Sequence, residues 1–268
     1  ELTDDAASIA LLEAIRPDHI YHLAAQSFVP QSFSDPWGTL QNNIRAQLNL
    51  IQGLLKIGLS SRLLVLGSAE EYGSIRPEEN PVDENQPLRP NSPYSVSKVA
   101  QDMLGLQYFL SHQLDIVRVR AFNHIGPGQS DRFVAAAFAS QIARIEKGEQ
   151  EPVIYVGNLS ARRDFSDVRD IVRGYTSLME EGVAGEVYNI GSGQAHSIQT
   201  LLDTLLQQTA HRIDVAVDQA RMRPVDVPII QCDTSKIRAA TGWEPQIPFA
   251  QTLADILDDW RNRLGSTR

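Results

Sequence analysis

Short apolar runs rich in branched residues alternate with longer segments of helical period, and this alternation constrains the fold more than any other feature. The predicted strands are IYHLAA (20–25), RLLVLGSA (62–69), DIVRVRAF (115–122) and EVYNIGS (186–192). One helix is predicted from Pro36 to about Lys56, with Ser34 or Asp35 as its cap, and another begins at Pro93. Strands and helices in this order predict an α/β fold, a doubly wound parallel sheet with helices on both faces.

The pattern changes after residue 122, where GPG (126–128) interrupts it. The later predicted elements are a helix at 131–147, short strands around VIYVGN and RRDF, and helices at 168–181, 197–209, 234–241 and 249–264. We expect them to form a second, smaller lobe over the carboxyl ends of the sheet strands, where open α/β sheets bind ligands.

The composition excludes several classes of partner. With 24 basic and 33 acidic residues the formal charge is −9, which repels a phosphate backbone, so nucleic acid is not expected.

Cys232 is the single cysteine, so we expect no internal disulfide, a reducing compartment and a buried, apolar role for this thiol. No run approaches the roughly 18 apolar residues that span a bilayer, and the opening ELTDD lacks the features of a signal peptide, so a cytoplasmic protein without a membrane partner is expected. The histidines and the cysteine show no zinc-type spacing, so no metal site is expected.

The stretch PYSVSK (93–98) predicts chemistry on one helix face. Tyr94 and Lys98 are four residues apart, so their side chains lie one above the other. An ammonium a few Å from a phenol favours phenolate and is expected to lower the tyrosine pKa, which suits proton exchange with an alcohol or ketone. Ser68 follows the second predicted strand, where its hydroxyl either contacts the same substrate oxygen or caps a turn.

Eight short motifs follow one another in a recognisable order. They are HLAAQS (22–27), NN (42–43), GSAEEYG (67–73), PYSVSK, RAFN (120–123), RRDF (162–165), YNIGSG (188–193) and RPVDV (223–227). In this order and spacing the chain resembles the extended short-chain dehydrogenase/reductases that act on nucleotide sugars. The resemblance implies a Rossmann-type domain at residues 1–126 and 163–192, and a nucleotide-sugar-binding lobe at 127–162 and 193–268.

The resemblance also implies roles for individual residues. Tyr94 would be the acid or base, Lys98 would hold the nicotinamide ribose, and Ser68 would position the sugar oxygen. Leu23, Ala24, Ala25, Asn43, Leu66, Tyr94, Lys98 and Phe122 match positions that line NADP or NAD. Ser68, Asn123, Val134, Arg163, Arg223 and Asp226 match positions around the nucleotide sugar, and the arginines suit a diphosphate. His124 is expected to be structural.

One family feature has no counterpart. The Gly-rich turn that binds pyrophosphate at a helix N-terminus does not occur, and the first match corresponds to the approach to the family's fourth strand. We therefore expect about 50 to 60 residues to be missing in front, and weak or no dinucleotide binding by the chain as given.

Within the family, FNHIGPGQSDRFV and VGNLSARRDFSDVRD are most similar to GDP-4-dehydro-6-deoxy-D-mannose reductases. This implies reduction of the C4 ketone of a GDP-4-keto-6-deoxyhexose, with GDP-mannose 4,6-dehydratase or another dehydratase or epimerase as the alternative. A dehydratase would use Glu70 as an additional catalytic residue. The resemblance further implies a homodimer that pairs through the helices near 36–56 and 94–112.

Overall fold

The computed structural model describes residues 1–221 and 227–265. The strands are β1 (His19–His22), β2 (Arg62–Leu66), β3 (Ile116–Ala121), β4 (Asn123–Ile125), β5 (Val153–Val156), β6 (Arg162–Asp167), β7 (Val187–Ile190), β8 (Ala195–Ser197), β9 (Asp214–Val217) and β10 (Ile229–Ile230). The helices are α1 (Asp5–Ile15), α2 (Val29–Ser34), α3 (Pro36–Ile57), α4 (Pro93–His112), α5 (Val134–Glu146), α6 (Val168–Glu181), α7 (Ile198–Leu206), α8 (Ser235–Thr241) and α9 (Phe249–Gly265).

A parallel sheet in the order β1-β2-β3-β7 contains the four strands predicted first. Its register aligns Tyr21 with Leu64 and Leu66 with Val119, so β2 and β3 end at the same edge. The α/β prediction with a parallel sheet is thereby confirmed. Each strand is shorter than predicted because the residues after it, such as 23–25 and 67–69, leave the sheet and form the loops at its carboxyl edge.

The two long helices cover this sheet and have well-defined ends. Helix α3 is capped by Asp35, whose carboxylate accepts from the Gly38 amide at 2.9 Å, and α4 is capped by Ser92, whose hydroxyl accepts from the Ser95 amide at 3.0 Å. The predicted cap at Asp35 is confirmed, and α6 spans the predicted residues 168–181.

Helix α1 was not predicted. Asp4 caps it by accepting from the Ala7 amide at 3.0 Å, and Leu12 packs with Leu50 and Leu54 of α3. Its apolar stripe is short, so packing against α3 rather than its own pattern stabilises the helix.

Smaller sheets follow in the later part of the chain. Strand β6 pairs in parallel with β4 and β10 and antiparallel with β8, and β5 pairs with β9. A second apolar core forms here between α5, α7 and α9, around residues such as Ile142, Leu202 and Leu257. Cys232 is buried beside Tyr72 and Phe122, as expected of an apolar residue. Within residues 1–221 and 227–265, none of the helices combines the length and apolarity needed to cross a membrane.

Candidate active site

Ser68, Tyr94 and Lys98 meet at the carboxyl end of β2. Ser68 follows the last residue of the strand by two positions, and Tyr94 and Lys98 belong to the first turns of α4. The Lys98 ammonium donates to the carbonyl oxygen of Leu66 at 2.7 Å and so fixes the start of α4 against the end of β2. All three side chains are at least nine-tenths buried.

Ser68 has one of the two roles raised by the sequence, the cap of a turn. Its hydroxyl accepts from the Glu70 amide at 3.2 Å and so caps the short 3-10 turn Ala69–Glu71. The same hydroxyl also hydrogen-bonds with the Tyr94 phenol, which favours the phenolate. The turn that Ser68 caps therefore holds the Ser68 hydroxyl oxygen in a fixed position next to Tyr94.

The expectation that Lys98 lowers the Tyr94 pKa is wrong for this structure. Burial raises the pKa of Tyr94, and the charges of Glu70 and Glu71 raise it further, against the hydrogen bond from Ser68. The ammonium of Lys98 lies 6.0 Å from the ring centre and is turned toward Leu66. Burial also lowers the pKa of Lys98 to about 8, with the charge of Glu71 opposing that shift.

A buried charge cluster lies behind these residues and was not predicted. Asp102, one turn beyond Lys98, accepts from Arg118 at 2.8 Å and from Arg120 at 2.6 Å and 3.0 Å. Arg120 also lies 3.3 Å from Glu71, and all four side chains are buried. The available signal was the spacing 94, 98, 102 along one helix face and two arginines inside an otherwise apolar strand.

The predicted dinucleotide residues fall into two groups. Leu23 and Ala24 are exposed after β1, and Ala24 and Ala25 line a cavity of about 430 Å³ that does not include Ser68, Tyr94 or Lys98. Leu66 contributes its carbonyl to Lys98.

Asn43 and Phe122 are buried. The Asn43 side chain accepts from the Gln26 amide at 2.7 Å and donates to Ser97 at 2.9 Å, so it joins the loop after β1 to α4. The Phe122 side chain packs in the core with Tyr72. Among the predicted dinucleotide residues, Leu23 and Ala24 are therefore exposed and Ala25 and Leu66 are partly exposed.

The predicted nucleotide-sugar residues lie along β4, α5 and β6. Asn123 is exposed at the start of β4, and Val134 is the first residue of α5. Arg163 is half-buried and donates to the carbonyl of Val227 at 2.6 Å. Arg223 and Asp226 lie outside the described residues.

Two further polar residues, Glu70 and His124, lie near the site. Glu70 is partly buried in the turn after Ser68, close enough for its charge to raise the Tyr94 pKa. The ring of His124 is within 3.2 Å of the Phe122 carbonyl, and burial lowers its pKa. Among the described residues, no group of three histidine, cysteine, aspartate or glutamate side chains is arranged to hold a metal ion.

Several known proteins are similar to this chain in sequence and in fold. The sequence profile of the GDP-mannose 4,6 dehydratase family matches residues 1–256. GDP-6-deoxy-D-mannose reductase of Pseudomonas aeruginosa is 39% identical over 248 residues, which cover 92% of this chain and 82% of that protein. The structure of RMD from Pseudomonas aeruginosa complexed with NADPH has a TM-score of 0.93 at 37% identity, and the match covers 98% of this chain and 87% of the other. UDP-glucose 4-epimerase of Thermus thermophilus, in complex with NAD, has a TM-score of 0.85 at 27% identity over 97% of this chain and 83% of the other.

Proposed function

The chain belongs to the GDP-mannose 4,6 dehydratase family, and from this premise we propose that it reduces the C4 ketone of GDP-4-keto-6-deoxy-D-mannose to GDP-D-rhamnose. One observation carries the proposal. Ser68, Tyr94 and Lys98 meet at the end of β2 in a chain that is 39% identical to a GDP-6-deoxy-D-mannose reductase. The reductant would be NADPH or NADH, since related structures hold NADPH and NAD.

Tyr94 supplies the proton in this reaction. Its raised pKa keeps the phenol protonated at neutral pH, so it is ready to donate to the oxygen at C4 as that oxygen becomes an alkoxide. The Ser68 hydroxyl, fixed by the turn that it caps, hydrogen-bonds the same oxygen and stabilises its developing charge. When bound, the nicotinamide supplies the hydride that C4 receives.

Lys98 orients the ribose next to Tyr94. An ammonium has three donors, and the Leu66 carbonyl occupies one of them, which leaves donors for ribose hydroxyls. Leu23, Ala24 and Ala25 would line the dinucleotide, whereas Asn43 would act by holding their loop against α4.

The nucleotide sugar would lie along β4, α5 and β6, which carry Asn123, Val134 and Arg163. These residues and Asp226 would surround it, with Arg163 and Arg223 near the diphosphate. Arg163 already contacts the segment that follows Arg223, because it donates to the Val227 carbonyl.

A GDP-mannose 4,6-dehydratase is the second candidate. It is favoured by Glu70, whose charge reaches Tyr94 and which could serve as the base for water elimination. Against it stands the 39% identity to GDP-6-deoxy-D-mannose reductase of Pseudomonas aeruginosa, compared with 29% to a GDP-mannose 4,6 dehydratase of Arabidopsis thaliana.

Three further features complete the proposal. We retain the division into a dinucleotide-binding part at 1–126 and 163–192 and a nucleotide-sugar-binding part at 127–162 and 193–268. A homodimer that pairs through α3 and α4 is supported by exposed apolar residues on these helices, Trp37, Val96, Met103 and Leu110. A cytoplasmic location is supported by the single, buried cysteine.

The test is made on the protein with a Gly-rich pyrophosphate-binding segment of the family joined in front, because weak or no dinucleotide binding is expected without it. Two reactions are compared, one with GDP-4-keto-6-deoxymannose and NADPH or NADH, and one with GDP-mannose and the same nicotinamides. Stoichiometric oxidation of the nicotinamide with a GDP-deoxyhexose product supports the reductase. Conversion of GDP-mannose to the keto sugar without net oxidation of added nicotinamide would contradict it and support the dehydratase.

A further inference from the structure

Phe28 and Phe133 form an aromatic contact that the mechanism above does not use. Their ring centres are 6.1 Å apart, and the rings meet edge to face at 81°. Phe28 lies in the loop after β1, directly before α2, and Phe133 directly precedes α5. Both rings are partly exposed, and neither is packed in an apolar core of the described residues. The contact therefore joins the two proposed ligand-binding parts outside their cores.

Arg132 adds a charged group to this contact. Its guanidinium carbon lies 5.6 Å from the centre of the Phe28 ring, within the range of a cation–π interaction. With Arg132 over the ring and Phe133 beside it, the Phe28 side chain has a defined orientation. We refer to Phe28, Arg132 and Phe133 as the aromatic bridge.

Hydrogen bonds connect one end of the aromatic bridge to the turn that carries Tyr94. The Gln26 side chain accepts from the Phe28 amide, and the Gln26 amide donates to the Asn43 side chain at 2.7 Å. Asn43 donates to the Ser97 hydroxyl at 2.9 Å, and that hydroxyl donates to the carbonyl oxygen of Tyr94 at 2.6 Å. The position of Phe28 is thus fixed relative to the first turn of α4.

The other end of the aromatic bridge is fixed to the start of α5. The Phe133 amide donates to the Ser130 carbonyl at 3.1 Å, and the Phe133 carbonyl accepts from the Ala137 amide at 2.7 Å. The next residue is Val134, one of the predicted nucleotide-sugar residues. The aromatic bridge therefore extends from the Tyr94 side of the site to the Val134 side.

The hexose of the proposed substrate has one apolar group, the methyl group at C6. This methyl group is bonded to C5, the neighbour of the reacting C4, so it must lie close to Tyr94 and Ser68. The other predicted sugar residues include the polar Asn123 and Arg163, which suit hydroxyl groups and the diphosphate. Aromatic rings suit a methyl group instead, and they disfavour a hydroxyl group that would lose its hydrogen bonds to water.

We propose that Phe28 and Phe133 are specificity residues, which contact the C6 methyl group of a 6-deoxyhexose and disfavour a hexose that carries a hydroxyl group at C6. Arg132 fixes the orientation of the Phe28 ring. This inference rests on the proposed function, because it concerns the sugar that the same site binds.

A matched pair of ligands tests the proposal. GDP-D-rhamnose is GDP-D-mannose without the hydroxyl group at C6, so the two ligands differ at this group alone. Calorimetry measures the Kd of each for the chain as given, with GDP as a reference that lacks the hexose. The parent protein is expected to bind GDP-D-rhamnose at least about tenfold more tightly than GDP-D-mannose.

Substitutions of Phe28 locate the origin of this preference. Phe28→Asn places an amide where it can hydrogen-bond the C6 hydroxyl group, and asparagine is favoured at the N-cap of a helix, which is the position of Phe28 in α2. The ratio of the two Kd values is expected to fall to about twofold or less. Phe28→Leu keeps an apolar side chain and is expected to keep the ratio within about threefold of the parent value.

Phe33→Asn is the matched control, because Phe33 belongs to the same helix and is 48% exposed. It is expected to leave the ratio unchanged. General damage to the fold would weaken the binding of both ligands alike, so the ratio separates recognition of C6 from structural support.

Three outcomes would count against these proposals in different ways. Equal binding of the two ligands by the parent, or a ratio that persists in Phe28→Asn, would overturn the role of the aromatic bridge even in a protein that reduces the keto sugar. A ratio that depends on Phe28, in a protein that oxidises no nicotinamide with GDP-4-keto-6-deoxymannose, would support that role and contradict the reductase alone. Failure to bind either GDP sugar would contradict both.

Discussion

The Nζ atom of Lys98 donates a hydrogen bond to the carbonyl oxygen of Leu66 at 2.7 Å, which ties the first turns of α4 to the last residue of β2. The lysine is 3% exposed. One buried contact thus sets both the position of the ammonium and the place where the Ser68 turn begins.

Lys98→Met tests the role of this ammonium. The variant loses the donor for the ribose and the positive charge near Tyr94, so we expect kcat/KM to fall by about 100-fold or more and KM for the nicotinamide to rise. Steady-state kinetics check this, with the exposed Lys56→Met as control. A parent-like kcat/KM would mean that Lys98 serves only to join α4 to β2.

Tyr94→Phe removes the proton donor and little else. The phenyl ring fits the same buried space, so we expect kcat to fall by about 10²- to 10⁴-fold. Binding of the GDP sugar, measured by calorimetry, is expected to change by less than about threefold, because the lost hydroxyl acts mainly in the transition state. Tyr155→Phe, at a half-exposed tyrosine, is the control. Unchanged turnover in Tyr94→Phe would contradict the assignment.

Asp102→Asn tests the buried charge cluster. Asp102 holds Arg118 and Arg120, and its neutralisation leaves the buried Arg118 without its carboxylate and Arg120 with Glu71 alone, at 3.3 Å. We expect the free energy of unfolding to fall by about 3 to 5 kcal/mol in urea denaturation. Asp115→Asn, which breaks the more exposed pair with Arg62 at 3.3 Å, is expected to cost less than about 1 kcal/mol. Equal losses in the two variants would show that the cluster contributes no more than a surface pair.

His22 predicts a pH dependence of stability. Burial, followed by the charge of Lys98, lowers its pKa from 6.5 to about 4. Between these two pKa values His22 binds a proton in the unfolded chain but not in the folded protein. The contribution of His22 to the free energy of unfolding therefore falls as the pH is lowered through this range. The loss amounts to about 3 kcal/mol at most.

The variant His22→Asn is therefore expected to lose less stability than the parent between pH 6.5 and 4. Urea denaturation at a series of pH values measures this, and the exposed His19→Asn at the start of the same strand is the matched control. Parallel pH curves for the parent and His22→Asn would contradict the prediction.

The local pattern of the sequence predicted the elements but not the interactions between them. Branched apolar runs located β1, β2, β3 and β7, and Asp35 and Pro36 located the start of α3, because these signals act over a few residues. Helix α1 was missed because its stability comes from Leu12 packing on α3, a contact between residues far apart in sequence.

The ion pairs and pKa shifts of the site were not predicted for the same reason. The sequence predicted a strand at DIVRVRAF but not the partners of its arginines: all six residues of β3 are buried, and Arg118 and Arg120 meet Asp102 of α4. The spacing of Tyr94 and Lys98 was visible, but the sign of the Tyr94 pKa shift depends on burial, which the sequence does not give. Ion pairing and burial arise only in the folded chain, and they set the charges and pKa values of the site.

The most direct test of the central claim is transfer of isotope. The protein is supplied with GDP-4-keto-6-deoxymannose and NADPH carrying deuterium at the transferable C4 position of the nicotinamide, and the sugar product is examined by NMR and mass spectrometry. The account predicts one deuterium at C4 of a GDP-6-deoxyhexose for each nicotinamide oxidised. A product without deuterium at C4, formed without net oxidation of the nicotinamide, would contradict reduction by this site.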